Sequence, residues 1–196
     1  MALQTNTNNL PILILPSDDL RLADPTRLMG HLPPGSFVLL RSKNLKKLCQ
    51  LATRIIPAAH DLGHKVLLAG PIRLARTLGA DGAHLNEASI KRRATRDIWA
   101  GGLRKNFILS ASAHGRMGLV RAGQLGVDFV LLGQISASHS HPNARPLGMV
   151  RFCMLTRQCP VPVVAIGGIN KISARRLKMA GPNMVGLAAI KMFADN

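Results

Sequence analysis

One unit recurs along this chain and limits what it can fold into: a glycine followed within two or three residues by a short apolar run. It stands at Gly35-Ser-Phe-Val-Leu-Leu40, Gly63-His-Lys-Val-Leu-Leu68, Gly79-Ala-Asp-Gly-Ala-His-Leu85, Gly126-Val-Asp-Phe-Val-Leu-Leu132 and Gly181-Pro-Asn-Met-Val-Gly-Leu187. A helical pattern precedes most of these glycines, as at Leu45 to Leu62 and Met117 to Leu125. That order fits a helix closed by a left-handed glycine before the chain enters a strand. Pro11–Leu15, Phe107–Ala111 and Pro162–Ile166 complete a set of eight candidate strands separated by helical or loop segments, the pattern of βα crossover units. Eight such units predict a compact (β/α)8 TIM barrel, short for its class at 196 residues. An open doubly wound sheet is more often built from fewer strands.

The apolar fraction, 47%, is enough for one sizeable core. The expectation is a flexible N-terminus over residues 1–10 and a single barrel domain over 11–196. No apolar stretch approaches the ~20 residues that span a membrane. Met1 to Asn9 is polar and has no basic region ahead of an apolar core, so no secretory signal is read there. The three cysteines, Cys49, Cys153 and Cys159, are odd in number and lack metal-ligand spacing, which points to reduced thiols and a cytoplasmic protein.

Charge is lopsided, with 26 Lys plus Arg against 9 Asp plus Glu, a formal +17. Such a field attracts polyanions. Part of it lies in Lys91-Arg-Arg-Ala-Thr-Arg96 and Arg104-Lys105, flanking Trp99, the one tryptophan. With 3% aromatic residues and no tyrosine, a base-stacking platform is poorly supplied. The alternative is a basic, solvated helix face.

Pro162-Val-Val-Ala-Ile-Gly-Gly-Ile-Asn170 reads as a buried strand, a bare glycine turn and the start of a helix running from Lys171 to Ala180. Glycines let an anion approach the backbone, and N–H groups at a helix start favour a phosphate there. The other reading is a tight βα turn whose glycines serve geometry alone. Arg41 and Lys43, two residues apart at a strand end, are expected on one face as a cationic pair suited to phosphate or pyrophosphate; the alternative is solvated loop charge. His84, inside an apolar run, is expected to be a packed, hydrogen-bonded histidine.

Several islands, in order, resemble the thiamine phosphate synthase and thiazole tautomerase superfamily. They are Leu40-Arg-Ser-Lys43, Gly79-Ala-Asp-Gly-Ala-His-Leu85, Ser110-Ala-Ser-Ala-His114, Gly133-Gln-Ile-Ser-Ala-Ser-His-Ser-His141, Pro162–Asn170 and Gly186-Leu-Ala-Ala-Ile190. The resemblance implies a (β/α)8 barrel of vitamin B1 biosynthesis. It implies that Arg41 and Lys43 hold the pyrophosphate of a pyrimidine substrate, with Ser112 as a further contact. Gly167 and Gly168 would cradle a thiazole phosphate. His114, Gln134 and Ala188 join the expected substrate-binding set. The expected partners are small phosphorylated thiazole and pyrimidine ligands, with polyanions and a second copy of the chain, as a homodimer, left open.

The chain also departs from the family pattern. Ala69-Gly70 stands where the synthases have Asn-Asp, and Ser89 where a second magnesium-binding Asp follows the fourth strand. Leu39 replaces the glutamine ahead of the Arg-x-Lys pair. No cofactor is therefore assigned; for magnesium, Glu87, the only glutamate, is the candidate ligand, with Asp18 and Asp19 the other acids near the expected mouth. In the loop after the sixth strand, Ser138 and Ser140 keep hydroxyl donors, and His139 and His141 stand near the family's lysine. These four are the candidate catalytic residues, the histidines as general acid or base. Where the tautomerases have a histidine this chain has Gln134. Three readings follow: a divergent synthase or tautomerase-like enzyme, a non-catalytic phosphate-ligand-binding or regulatory relative, and a basic nucleic-acid-associated protein.

Overall fold

The computed structural model describes residues 12–17, 19–20, 22–91, 106–136 and 145–194. Among them, eight parallel strands close into a barrel in sequence order. The strands are β1 (Ile12–Pro16), β2 (Phe37–Leu40), β3 (Lys65–Ala69), β4 (Gly82–Leu85), β5 (Ile108–Ala113), β6 (Phe129–Gly133), β7 (Val163–Ile166) and β8 (Met184–Ala188). Strand β1 pairs with β2 on one side, Ile14 opposite Phe37, and with β8 on the other, Ile14 opposite Ala188. The expected (β/α)8 barrel is the observed fold. None of the described helices is long and apolar enough to cross a membrane.

The glycine units also explain how strands begin. The five strands that follow such a unit, β2, β3, β4, β6 and β8, each start two or three residues after the glycine, because the intervening residues complete the turn. At Gly79 and Gly126 the backbone has φ of 78° and 64°, a conformation that disfavours side chains with a Cβ. The aspartate two residues later ties the turn to the previous strand. Asp81 Oδ2 accepts the Val66 N–H at 2.7 Å, and Asp128 Oδ2 accepts the Leu109 N–H at 2.7 Å. Asn183 fills the same position after Gly181 and donates instead, to the carbonyls of Thr156 and Cys159.

The helices are α1 (Thr26–Met29), α2 (Leu45–Asp61), α3 (Ile72–Thr77), α4 (Glu87–Lys91), α5 (Arg116–Gln124), α6 (Gly148–Arg157), α7 (Lys171–Leu177) and α8 (Lys191–Ala194). Helix α2 is capped by Asn44, whose side chain accepts the Lys47 N–H, and buries Leu48, Ala52, Ile55, Ile56 and Ala59. Helix α7 is shorter than the sequence pattern suggests. After Leu177 the chain tightens into i→i−3 bonds, Met179 to Arg176 and Ala180 to Leu177.

Strand alternation divides the apolar residues between two regions. Ile14, Phe37, Leu39, Leu67, Phe129 and Leu131 fill the barrel interior, where the Phe37 and Phe129 rings meet edge to face at 5.9 Å. Val38, Leu40, Val66, Leu68, Val130 and Leu132 face outward, under the helices. The three thiols are free, Cys159 buried and the other two half-buried.

Candidate functional site

Because the strands are parallel, their C-terminal ends open on one face, and the segments after β1 to β8 converge there. In such a barrel this is the end that carries chemistry. Ser17, directly after β1, clamps the segment after β2. Its Oγ donates to the Arg41 carbonyl and accepts the Arg41 N–H at 2.8 Å, while Arg41 Nε donates to the Ser17 carbonyl at 2.6 Å. The guanidinium is thereby fixed, half-buried, at the mouth.

The strand period that suggested a same-face pairing of Arg41 with Lys43 does not run through both residues, because β2 ends at Leu40. Lys43 is exposed in a bend whose backbone N–H is accepted by Asp19 Oδ2 at 3.1 Å. Ala188, another of the expected substrate-binding residues, lies at the end of β8. It is 1% exposed and contributes its methyl group to the barrel interior.

Ser112 is half-buried on β5 and bonded to a histidine. The His84 ring spans two neighbours, with Nδ1 2.9 Å from Ser110 Oγ and Nε2 2.8 Å from Ser112 Oγ. Burial, and then the Arg41 charge, push His84 down to about 3, so the ring is neutral. A neutral imidazole donates through one nitrogen and accepts through the other, so the tautomer decides whether the Ser112 hydroxyl proton is used on His84 or left for a ligand.

His114 follows β5 and meets Glu87, the first residue of α4. Glu87 Oε2 accepts His114 Nδ1–H at 2.5 Å and the His114 backbone N–H at 3.2 Å. The Glu87 side chain is 18% exposed and that of His114 66%. Ser89 turns away to serve the helix start, its hydroxyl and N–H both bonded to Asn86 Oδ1. Ala69 and Gly70 bring no carboxylate to the end of β3. Among the described residues no three His, Cys, Asp or Glu side chains cluster as a metal set.

Gly167 and Gly168 follow β7 with φ of 96° and 68°. A Cβ on Gly167 would lie 2.9 Å from the Gln134 Cα, so glycine there lets the segments after β6 and β7 touch. Gln134 follows a cis Gly133–Gln134 peptide, and its carbonyl accepts the Leu147 N–H. Asn170 and Ser173 then form a reciprocal capping box, so the first N–H groups of α7 are partly satisfied by the chain itself. Beside this turn lies a pocket of about 290 Å³, lined by Ser136, Met149, Asn170, Ser173 and Arg176 among others. Sequence reasoning missed Ser136 and Arg176; the arginine was visible only as one charge of an amphipathic helix. His139, His141, Ser138 and Ser140, with Asp18, Trp99 and most of the basic run beside it, lie outside the described residues.

The comparisons with known proteins agree with this geometry. The family model described as thiamine monophosphate synthase matches residues 17–191. A thiamine-phosphate synthase of Herpetosiphon aurantiacus is 28% identical over 188 residues, covering 93% of this chain and 88% of its own. One from Caldicellulosiruptor saccharolyticus is 27% identical over 159 residues, covering 80% and 69%. Among solved structures, a thiamine phosphate pyrophosphorylase from Pyrococcus furiosus superposes with a TM-score of 0.72 at 20% identity, covering 96% of this chain and 90% of that one. At 12% identity, the YdjI aldolase of Escherichia coli shares the fold alone, with a TM-score of 0.61. With nearly its whole length matched, the chain belongs to the thiamine monophosphate synthase family.

Proposed function

We propose that this protein binds a phosphorylated thiazole beside the Gly167-Gly168 turn and the diphosphate of a pyrimidine near Arg41. The observation that carries this reading is the pocket next to the glycine turn, which Ser136, Asn170, Ser173 and Arg176 line with hydroxyls, an amide and a cation. Family membership supports the ligand class and a role in thiamine biosynthesis. In a synthase reaction the pyrimidine C–O bond breaks, its electron pair leaves with diphosphate, and the thiazole nitrogen attacks the resulting cation. Catalysis of that step is charge stabilisation and positioning, which the anchored Arg41 guanidinium suits. Ser138, Ser140, His139 and His141 remain the proposed source of hydroxyls and proton transfer from the loop after β6.

Magnesium does not fit the described residues. Ala69 and Gly70 offer no carboxylate, the Ser89 hydroxyl is held by Asn86, and the Glu87 carboxylate is held by His114. These observations favour a second reading, a phosphate-ligand-binding relative with little magnesium-dependent turnover.

Calorimetric titration with thiazole phosphate tests the proposal. The unmodified protein should bind, and Gly168→Asp, which puts a carboxylate into the turn, should weaken binding at least about tenfold, or about 1.4 kcal/mol. Unchanged affinity in a folded Gly168→Asp protein would sink the site. Robust magnesium-dependent synthase turnover by the unmodified protein would sink the second reading.

A further inference from the structure

We infer that the Glu87–His114 pair is a diphosphate-binding dyad that takes the place of a divalent cation at this mouth; the inference rests on the ligand reading above. The two residues come from neighbouring segments, Glu87 after β4 and His114 after β5, 27 residues apart in the chain. Glu87 accepts both the ring Nδ1–H and the backbone N–H of His114, so one carboxylate fixes the segment and the ring together. It is itself tucked against α5, where a Cβ on Gly118 would lie 3.4 Å from its carboxyl carbon.

This arrangement leaves one ring atom unused. Nδ1 is committed to Glu87, and Nε2 has no partner among the described residues, on a side chain that is 66% exposed. A carboxylate that orients one imidazole nitrogen and frees the other is how proteins present histidine to a ligand. Diphosphate is the matching chemistry. Its oxygens are strong acceptors, Ser112 lies two residues back on β5, and the anchored Arg41 supplies charge to the same mouth. Glu87 sits two residues before Ser89, the place where a metal-binding aspartate would stand in the resembling synthases. Its carboxylate orients a hydrogen-bond donor there. Glu87 is a positioning residue, and His114 the group that touches the ligand.

The test is calorimetric titration of the full chain with inorganic diphosphate, in EDTA and in magnesium, with thiazole phosphate as a separate ligand. The unmodified protein should bind diphosphate equally well in both buffers. His114→Ala should weaken diphosphate at least fivefold in EDTA, and Glu87→Ala should do the same by releasing the ring. Both should leave thiazole phosphate affinity unchanged. His114→Gln, which keeps a donor, should recover part of the loss and serves if the alanine variant fails to fold. Diphosphate affinity unchanged in His114→Ala and His114→Gln, with thiazole phosphate still bound, would overturn the dyad and leave the ligand reading standing. Magnesium strengthening of diphosphate binding that Glu87→Gln abolishes would overturn it too, making Glu87 a metal ligand. No binding of either ligand by the unmodified protein would overturn both.

Discussion

His84 shows how one buried residue links the core to the mouth. Its ring is buried and bonded to two serines, and its pKa is lowered from 6.5 to about 3, first by burial and then by the Arg41 charge. A folded-state value below the unfolded one means that the unfolded chain binds the extra proton between those two pH values. His84 therefore supports the fold fully above about pH 6.5 and loses that support as pH falls towards 3, at about 1.4 kcal/mol per pH unit. Between pH 7.5 and 5 the unmodified protein should lose about 2 kcal/mol more stability than His84→Gln, which keeps hydrogen bonds to the serines but does not titrate. Urea denaturation at the two pH values measures this. Equal losses in the two proteins would show that His84 does not set the acid limit. A packed histidine was legible here because it interrupts an apolar run. Its two serine partners were not, since they lie on the next strand and the register that aligns His84 with Ser110 is a property of the closed sheet.

At the scale of elements, five glycine-plus-apolar units and three further apolar runs made the eight strands legible, because turn chemistry and strand hydrophobicity are both local. The Gly-x-Asp turns carry a second message that local pattern hides: each aspartate ties its turn to the strand before. Removing one such bond leaves the Leu109 N–H without its acceptor, so Asp128→Ala should destabilise the barrel by about 1 kcal/mol, with little effect on ligand binding at the opposite end. Thermal denaturation together with thiazole phosphate titration checks both halves of that expectation. Strand ends were less legible. Two-residue spacing suggested that Arg41 and Lys43 share a face, but the period lapses where β2 stops, and Ser17 and Asp19 hold the two residues separately. Glu87 and His114 each drew notice separately in sequence, as a candidate metal ligand and a candidate substrate contact, but their pairing did not, because only adjacent βα segments bring them together.

For the whole molecule, the +17 charge sits on a barrel whose described mouth holds its acids in internal contacts. Asp19 bonds the segment after β2, and Glu87 bonds His114. Incoming phosphates therefore meet a mouth whose nearest carboxylates are already occupied, within a field of the opposite sign. The ring of strands has a different consequence. β1 and β8 are neighbours, Ile12 opposite Gly186, although almost the whole length of the chain lies between them. While the chain emerges from a ribosome, β1 has one edge with no native partner until the last strand is made. Its Ile12 and Ile14, destined for the barrel interior, wait beside that gap for the entire time. Synthesis, rather than the sealing of any single turn, then sets how long the most aggregation-prone edge stays open, and a pause late in translation is where this protein would be most exposed to misassembly.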